Sequence, residues 1–243
     1  MSTHSIARAE FVSLGDDVRG YYAVPDGGGP FPGVLLYQEA FGINEYIQSE
    51  VKRLASAGYA TIAPDLFRGK TYGYDDMATV FANLQTLTDD GMLVDVRAAK
   101  AFLDARPEVE RAPYGAVGFC MGGRLAVLTA ITLGDAIGAV ASFYGGGIAP
   151  EEPRFFPLLC DRIPEATAPM LMVYGTDDQS IGPSEIGRVA EALARRRERF
   201  EISVYPNAMH GFASRDRAAV YRPEAAESAW DETLAFFERY LAS

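Results

Sequence analysis

Residues 114–125, YGAVGFCMGGRL, constrain the fold of this chain more than any other stretch. A short apolar run over 114–117 meets Gly118-Phe119-Cys120-Met121-Gly122, and an Ala/Leu/Val-rich helical pattern follows at once. That order predicts a strand, a very tight turn and a helix. Gly118 and Gly122 flank Cys120 by two residues on each side, where any Cβ would clash as the chain reverses. Such a turn lifts the Cys120 side chain off the sheet, at the positive end of the following helix. It is the layout of a nucleophile elbow with a thiol in the usual place of a hydroxyl. A helix N-terminus favours the thiolate, which is the reactive form of that thiol.

The 243 residues suit one α/β domain with a sizeable core, and no linker, repeat or low-complexity tract divides them. A net charge of −11 argues against a nucleic-acid backbone or an anionic membrane as partner, since both would repel the chain. Two cysteines, Cys120 and Cys160, are too few for a disulfide scaffold, so free thiols in a reducing compartment are expected. Cys160 has no histidine near it in sequence and is expected to be inert. The N-terminal MSTHSIARAEF lacks an apolar core, so no secretory signal is expected, and the longest uncharged stretch, 136–150, is short and Gly-rich. The expected location is the cytoplasm. No metal-ligand cluster is visible, so neither metal nor cofactor is expected.

Strand and helix patterns alternate along the chain. Residues 9–14 and 18–24 read as an antiparallel hairpin around Gly15-Asp16-Asp17. Strands are expected at 33–37, 59–63, 114–117, 137–143, 170–174 and 200–205, those at 33–37 and 137–143 as buried ones. Asn44 is placed to cap a helix whose apolar face is Ile47, Val51, Leu54 and Ala55, closed by Gly58. Further helices are expected at 75–87, at 91–105, after Cys120, around Ile186–Leu193, and from Pro223 to the C-terminus. Residues 145–169 carry five prolines and no periodicity, which predicts a long loop or a small cap, with no separate cap domain. Arg195, Arg196, Arg197 and Arg199 are expected to face solvent at a helix C-terminus. Alternation of this kind calls for a mostly parallel, doubly wound sheet covered on both faces.

In open α/β sheets the site forms at the carboxyl ends of the strands. Cys120 follows one strand, Asp177 and Asp178 follow 170–174, and His210 follows 200–205. Nucleophile, acid and histidine thus occur in the chain order of Ser/Cys–Asp–His hydrolases. The chain has only two histidines, and His4 lies near a terminus, so general-base work falls to His210. Either aspartate could orient it. Tyr72, Tyr74, Phe119 and Tyr144 are candidate pocket walls.

Taken together, Tyr37-Gln38-Glu39-Ala40-Phe41-Gly42, Ala63-Pro64-Asp65-Leu66-Phe67-Arg68, Gly118-Phe119-Cys120-Met121-Gly122-Gly123 and His210-Gly211-Phe212 resemble the dienelactone hydrolase family of the α/β-hydrolase superfamily. The resemblance covers nearly the whole chain. It implies a Cys120–His210–Asp178 triad, because the family's acid lies three residues after the strand-ending glycine. It also implies a role for Glu39 beside the thiol, and places Phe41 and Phe212 in the substrate pocket. The backbone N–H groups of Met121 and Ala40 are the implied oxyanion hole.

The implied reaction is hydrolysis of a lactone or activated ester through a thioester, by a monomer or small homo-oligomer acting on a small molecule. The thiol supports that class: a thiolate leaves more readily than an alkoxide or an amide nitrogen, so only substrates with stabilised leaving groups go forward. In the family two arginines hold the substrate's carboxylate. Here the position four after His210 is Ser214, and no arginine occurs between Arg68 and Arg97. Arg68, a candidate substrate contact, Arg124 and Arg215 are the arginines nearest the motifs.

Overall fold

Eight strands form one sheet in the order β1-β2-β4-β3-β5-β6-β7-β8 in the computed structural model, which describes residues 3–15, 17–153 and 155–241. β1 (Ile6–Gly15) and β2 (Val18–Pro25) form an antiparallel hairpin, and β2 joins β4 (Ala60–Pro64) antiparallel. From β4 onward every pairing is parallel: β3 (Gly33–Tyr37), β5 (Tyr114–Phe119), β6 (Ile137–Phe143), β7 (Met170–Gly175) and β8 (Phe200–Tyr205). Asp16, expected in the hairpin turn, lies outside the described residues, as does Arg154 in the long loop.

The strands β3, β4, β5 and β7 are buried along their whole length, as their unbroken apolar runs require of a sheet covered on both faces. α1 (Glu45–Ser56) and α6 (Pro223–Leu241) share one face, where Arg53 pairs with Glu227 and lies over Trp230. α3 (Asp89–Asp104) and α4 (Met121–Leu133) pack together on the other. α2 (Met77–Leu84) and α5 (Pro183–Ala194) complete the set.

Boundaries differ from the sequence reading where a cap decides them. Asn44 caps α1 as expected, its side chain accepting from the Ile47 N–H at 3.1 Å. α2 spans Met77–Leu84 within the expected 75–87, because the Asp76 carboxylate accepts from the Thr79 N–H. α3 starts at Asp89, before the expected 91, because the Thr88 hydroxyl accepts from the Gly91 N–H. β5 runs to Phe119, so the strand continues up to the cysteine itself. The segment between β6 and β7 is irregular apart from a short 3-10 turn at Ile163–Glu165.

A cavity of about 480 Å³ bordered by Pro30, Val109, Pro113 and Leu241 lies at the amino ends of the parallel strands. The residues singled out for chemistry all lie at the opposite, carboxyl edge.

Candidate active site

The elbow between β5 and α4 is built from forbidden space. Cys120 holds φ 55°, ψ −121°, a left-handed backbone that a side-chain-bearing residue adopts only when its surroundings impose it. A Cβ on Gly118 would overlap the Gly122 carbonyl, and one on Gly122 would overlap the Tyr37 carbonyl. The Cys120 N–H donates to the Phe143 carbonyl at 3.0 Å, tying the elbow to β6. Met121 opens α4, so its N–H has no acceptor within the helix. The Ala40 N–H donates to no protein acceptor among the described residues.

Two later loops are fastened to each other before they reach the cysteine. The Asp177 N–H donates to the Ala208 carbonyl at 3.0 Å, and the Asn207 N–H donates to the Thr176 hydroxyl at 2.9 Å. Gly175 is required at this crossing, because a Cβ there would overlap the Ala208 carbonyl. The fastening sets the register of Asp178 and His210. Asp178 Oδ1 accepts from the N–H groups of Ser180 (2.8 Å) and Ile181 (3.0 Å), and Oδ2 lies 2.8 Å from His210 Nδ1. Asp177 is exposed and turns its carboxylate to the Thr176 hydroxyl. Geometry therefore separates two aspartates that local turn chemistry could not.

His210 lies between Asp178 and Cys120 and meets the Tyr144 ring edge-on at 5.3 Å. Burial alone would lower its pKa, but the Cys120 sulfur and the Asp178 carboxylate outweigh burial and push it up to about 10. Glu39 is 1% exposed, and neither of its oxygens has a hydrogen-bond partner among the described residues. Burial raises its pKa above the usual carboxylate range; Arg217, His210 and the nearby Tyr144 hydroxyl oppose that rise. The Tyr144 hydroxyl is close enough for this influence without reaching hydrogen-bond geometry. Tyr144 itself holds φ 38°, with its N–H donating to the Val173 carbonyl at 2.7 Å, and its hydroxyl is likewise unpaired.

The expected pocket residues divide. Phe41 meets Tyr74 edge-on at 4.6 Å, and the Tyr72 N–H donates to the Phe41 carbonyl, so these three form one wall. The Tyr74 hydroxyl accepts from Asn44 Nδ2 at 2.9 Å. Phe119 is not a wall: its ring is fully buried against Phe143 and Trp230, because the residue before the elbow points back into the core. Phe212 is also fully buried, behind Tyr144 at 5.5 Å.

Arg68 gives both terminal nitrogens to Asp95, at 2.7 and 2.9 Å, which takes its charge away from the expected substrate role. Arg124 is buried as a structural staple and Arg215 pairs with Glu50. Arg196 leaves the solvated group expected for it and donates to the Ala168 carbonyl.

The arginine that sequence reasoning missed is Arg217. It lies 5.3 Å from both the Phe41 and Tyr74 ring centres, acts electrostatically on Glu39, and forms no ion pair among the described residues. Successive turns, Ser214 N–H to the Gly211 carbonyl and Arg217 N–H to the Ser214 carbonyl, curl the loop so that residue 217 returns over the site. Spacing alone carried no signal of that curl.

No helix among the described residues is long and apolar enough to cross a membrane, and those residues hold no cluster of three or more groups able to bind a metal.

Residues 18–241 match the sequence profile of the dienelactone hydrolase family. A Yersinia pestis protein inferred to be a carboxymethylenebutenolidase is 34% identical over 250 residues, covering 100% of this chain and 92% of the relative. A Bradyrhizobium protein inferred to be a 2-oxo-3-(5-oxofuran-2-ylidene)propanoate lactonase is 30% identical, covering 99% of this chain and 98% of its own. The crystal structure of an inferred dienelactone hydrolase from Klebsiella pneumoniae superposes with a TM-score of 0.88 at 31% identity, covering 97% of this chain and 100% of that one. The architecture is the α/β-hydrolase fold of these neighbours.

Proposed function

The chain belongs to the dienelactone hydrolase family and is a hydrolase of ester bonds, and from that premise we propose that Cys120 is its nucleophile, acting through a thioester on a lactone or activated ester. One observation carries the reading: a left-handed cysteine at a helix N-terminus adjoins a histidine whose other nitrogen is 2.8 Å from a buried aspartate.

Asp178 orients the His210 ring, and Glu39 takes up the thiol proton, leaving a thiolate that the His210 imidazolium stabilises. The thiolate attacks the substrate carbonyl, and the N–H groups of Met121 and Ala40 receive the developing oxyanion. Collapse breaks the carbonyl–oxygen bond, and the leaving oxygen takes a proton from His210, which leaves the imidazole neutral. Water, deprotonated by His210, then cleaves the thioester and restores the thiol.

Phe41, Tyr72 and Tyr74 form the apolar wall, with Tyr144 beside the reacting atoms. Arg217, over two of those rings and without an ion-pair partner among the described residues, receives an anionic group on the substrate. A small organic acid bearing a lactone or activated ester is the substrate class that fits, and the protein acts on it in the cytoplasm without a cofactor.

A panel of enol lactones and aryl esters, acidic and neutral, separates the components of this reading. Cys120→Ala loses turnover by about 10⁴-fold or more on every substrate, and the wild type shows an acyl adduct on Cys120 by intact mass. Retained turnover in Cys120→Ala removes the thiol from the reaction.

A further inference from the structure

α5 begins without a side-chain cap, because Gly182 occupies the N-cap position. Glu185 stands three residues on, where a glutamate in a capping box reaches back to the N-cap N–H. Here it reaches out of the helix. Its Oε1 accepts from the Gly147 N–H at 3.0 Å and from the Ala149 N–H at 3.3 Å, in the segment that follows β6. The residue is only 6% exposed. Burial raises its pKa above the usual carboxylate range, and the N–H groups of residues 147–149 and the Arg188 charge act against that rise. A leucine at this position would pack without that electrostatic cost.

The same stretch is gripped through its carbonyls. Gly147 accepts from Arg124 Nε at 3.2 Å, Ile148 from the Leu159 N–H at 2.9 Å, and Ala149 from Arg188 Nε at 2.6 Å. Residues 147–149 are thus clamped between α4 and α5. Immediately before them lies the site. Tyr144 holds its φ of 38°, and a Cβ on Gly145 would come within 2.9 Å of the Gly123 backbone in α4. A Cβ on Gly146 would meet the Ile181 side chain at 3.3 Å, and the Ile181 N–H is one of the two that Asp178 Oδ1 accepts. His210 has a support on each side: Asp178 Oδ2 at Nδ1, and the Tyr144 ring edge-on. The first support heads the loop that leads into α5; the second heads the segment that Glu185 holds.

We propose that Glu185 is a positioning residue for His210: by tying the segment behind Tyr144 to the helix that follows Asp178, it keeps the imidazole seated between the two and directed at Cys120. The proposal rests on the reading that His210 serves the Cys120 sulfur. Two backbone N–H groups on one carboxylate oxygen fix a distance between the two loops, and with it the gap that holds the ring. Without the tie the loops move apart, and a displacement of about 1 Å at a reacting group costs up to about 10²-fold in rate.

Three substitutions at this one position separate the tie from the charge. Glu185→Leu removes both. Glu185→Asp keeps the charge but is one methylene too short to hold both N–H groups, and Glu185→Gln gives up the charge but keeps an oxygen that accepts them. The readouts on the full chain are steady-state kinetics with an activated aryl ester, Tm, and an imidazole NMR titration, which follows only His4 and His210. Glu185→Leu and Glu185→Asp lower kcat by about tenfold or more with KM little changed, and in both the His210 signals titrate at lower pH than in wild type. Glu185→Gln restores kcat and the His210 titration close to wild type. A lower Tm with wild-type kcat and His210 titration overturns the proposal, since a purely structural carboxylate behaves that way; Glu185→Asp decides the point if Glu185→Leu does not fold. A loss of kcat in Glu185→Gln as large as that in Glu185→Leu overturns it too. His210→Ala tests the underlying reading: turnover that survives it removes His210 from the reaction, whereas an inactive His210→Ala beside an unaffected Glu185→Asp ends the positioning role alone.

Discussion

Arg124 and Glu39 are equally buried, each 1% exposed, at the two sides of the elbow, and the protein treats their charges in opposite ways. Arg124 is satisfied on every side. Its terminal nitrogens meet Asp89 at 2.6 and 2.9 Å, the Gly147 and Pro157 carbonyls accept two further bonds, and the Phe156 ring lies 4.8 Å beneath. This one side chain fastens α4 to α3 and to the irregular segment between β6 and β7. Glu39 has no hydrogen bond at all among the described residues. A charge held by a full set of partners gives rigidity; one held without partners gives a group ready to change its protonation state.

Breaking the satisfied charge produces the larger loss of stability. Arg124→Leu leaves the Asp89 carboxylate and two carbonyls without their donor and lowers stability by about 3–5 kcal/mol. Denaturant titrations of wild type and variant measure that loss.

Breaking the unsatisfied charge goes the other way. Burial raises the Glu39 pKa above its unfolded value, so its charged form opposes folding. The penalty is absent below the unfolded pKa of about 4.5 and grows as pH rises through the folded value. Glu39→Gln therefore stabilises the protein by about 2 kcal/mol at pH 7, and the gain vanishes by pH 4. The same variant loses activity and alters the pH profile of Cys120 alkylation. A Tm at pH 7 no higher than wild type would break the comparison.

His210 stands between these cases, a charge with one good partner. Its pKa is raised to about 10 in the fold. The stability this contributes is complete below the unfolded pKa of about 6.5 and is lost as pH climbs toward 10. Asp178→Asn removes part of it, a deficit of about 1 kcal/mol near pH 6. The Tm difference from wild type shrinks as the pH is taken from 6.5 to 10; a constant difference would show that the pair does not titrate as described.

The parts of the site that were legible in the sequence depend on backbone space. Gly118 and Gly122 stand where no Cβ fits, and Gly175 where the two later loops cross. Such requirements are local, so a short motif displays them. The strands expected at 33–37, 137–143 and 200–205 appear with those bounds; the first two are buried, since a continuous apolar run has few other places to go, and the last, at the sheet edge, is only partly buried. What the sequence concealed is where long side chains end. Arg68, Arg124, Arg215 and Arg217 look alike as letters; one pairs with Asp95, one is a buried staple, one holds Glu50, and one lies over the pocket wall. Phe119 sits next to the nucleophile in sequence and behind it in space, because alternation along a strand sends successive side chains to opposite faces.

From its sequence alone this chain determined its alternating fold, its elbow and the order of cysteine, acid and histidine, because these follow from steric exclusion and hydrophobic period. Tertiary structure decided which aspartate reaches the imidazole, which arginine overlies the pocket, and that a glutamate on α5 grips the segment that follows Tyr144. Those outcomes depend on how loops distant in sequence cross, and flexible side chains take whichever partner that crossing brings within reach.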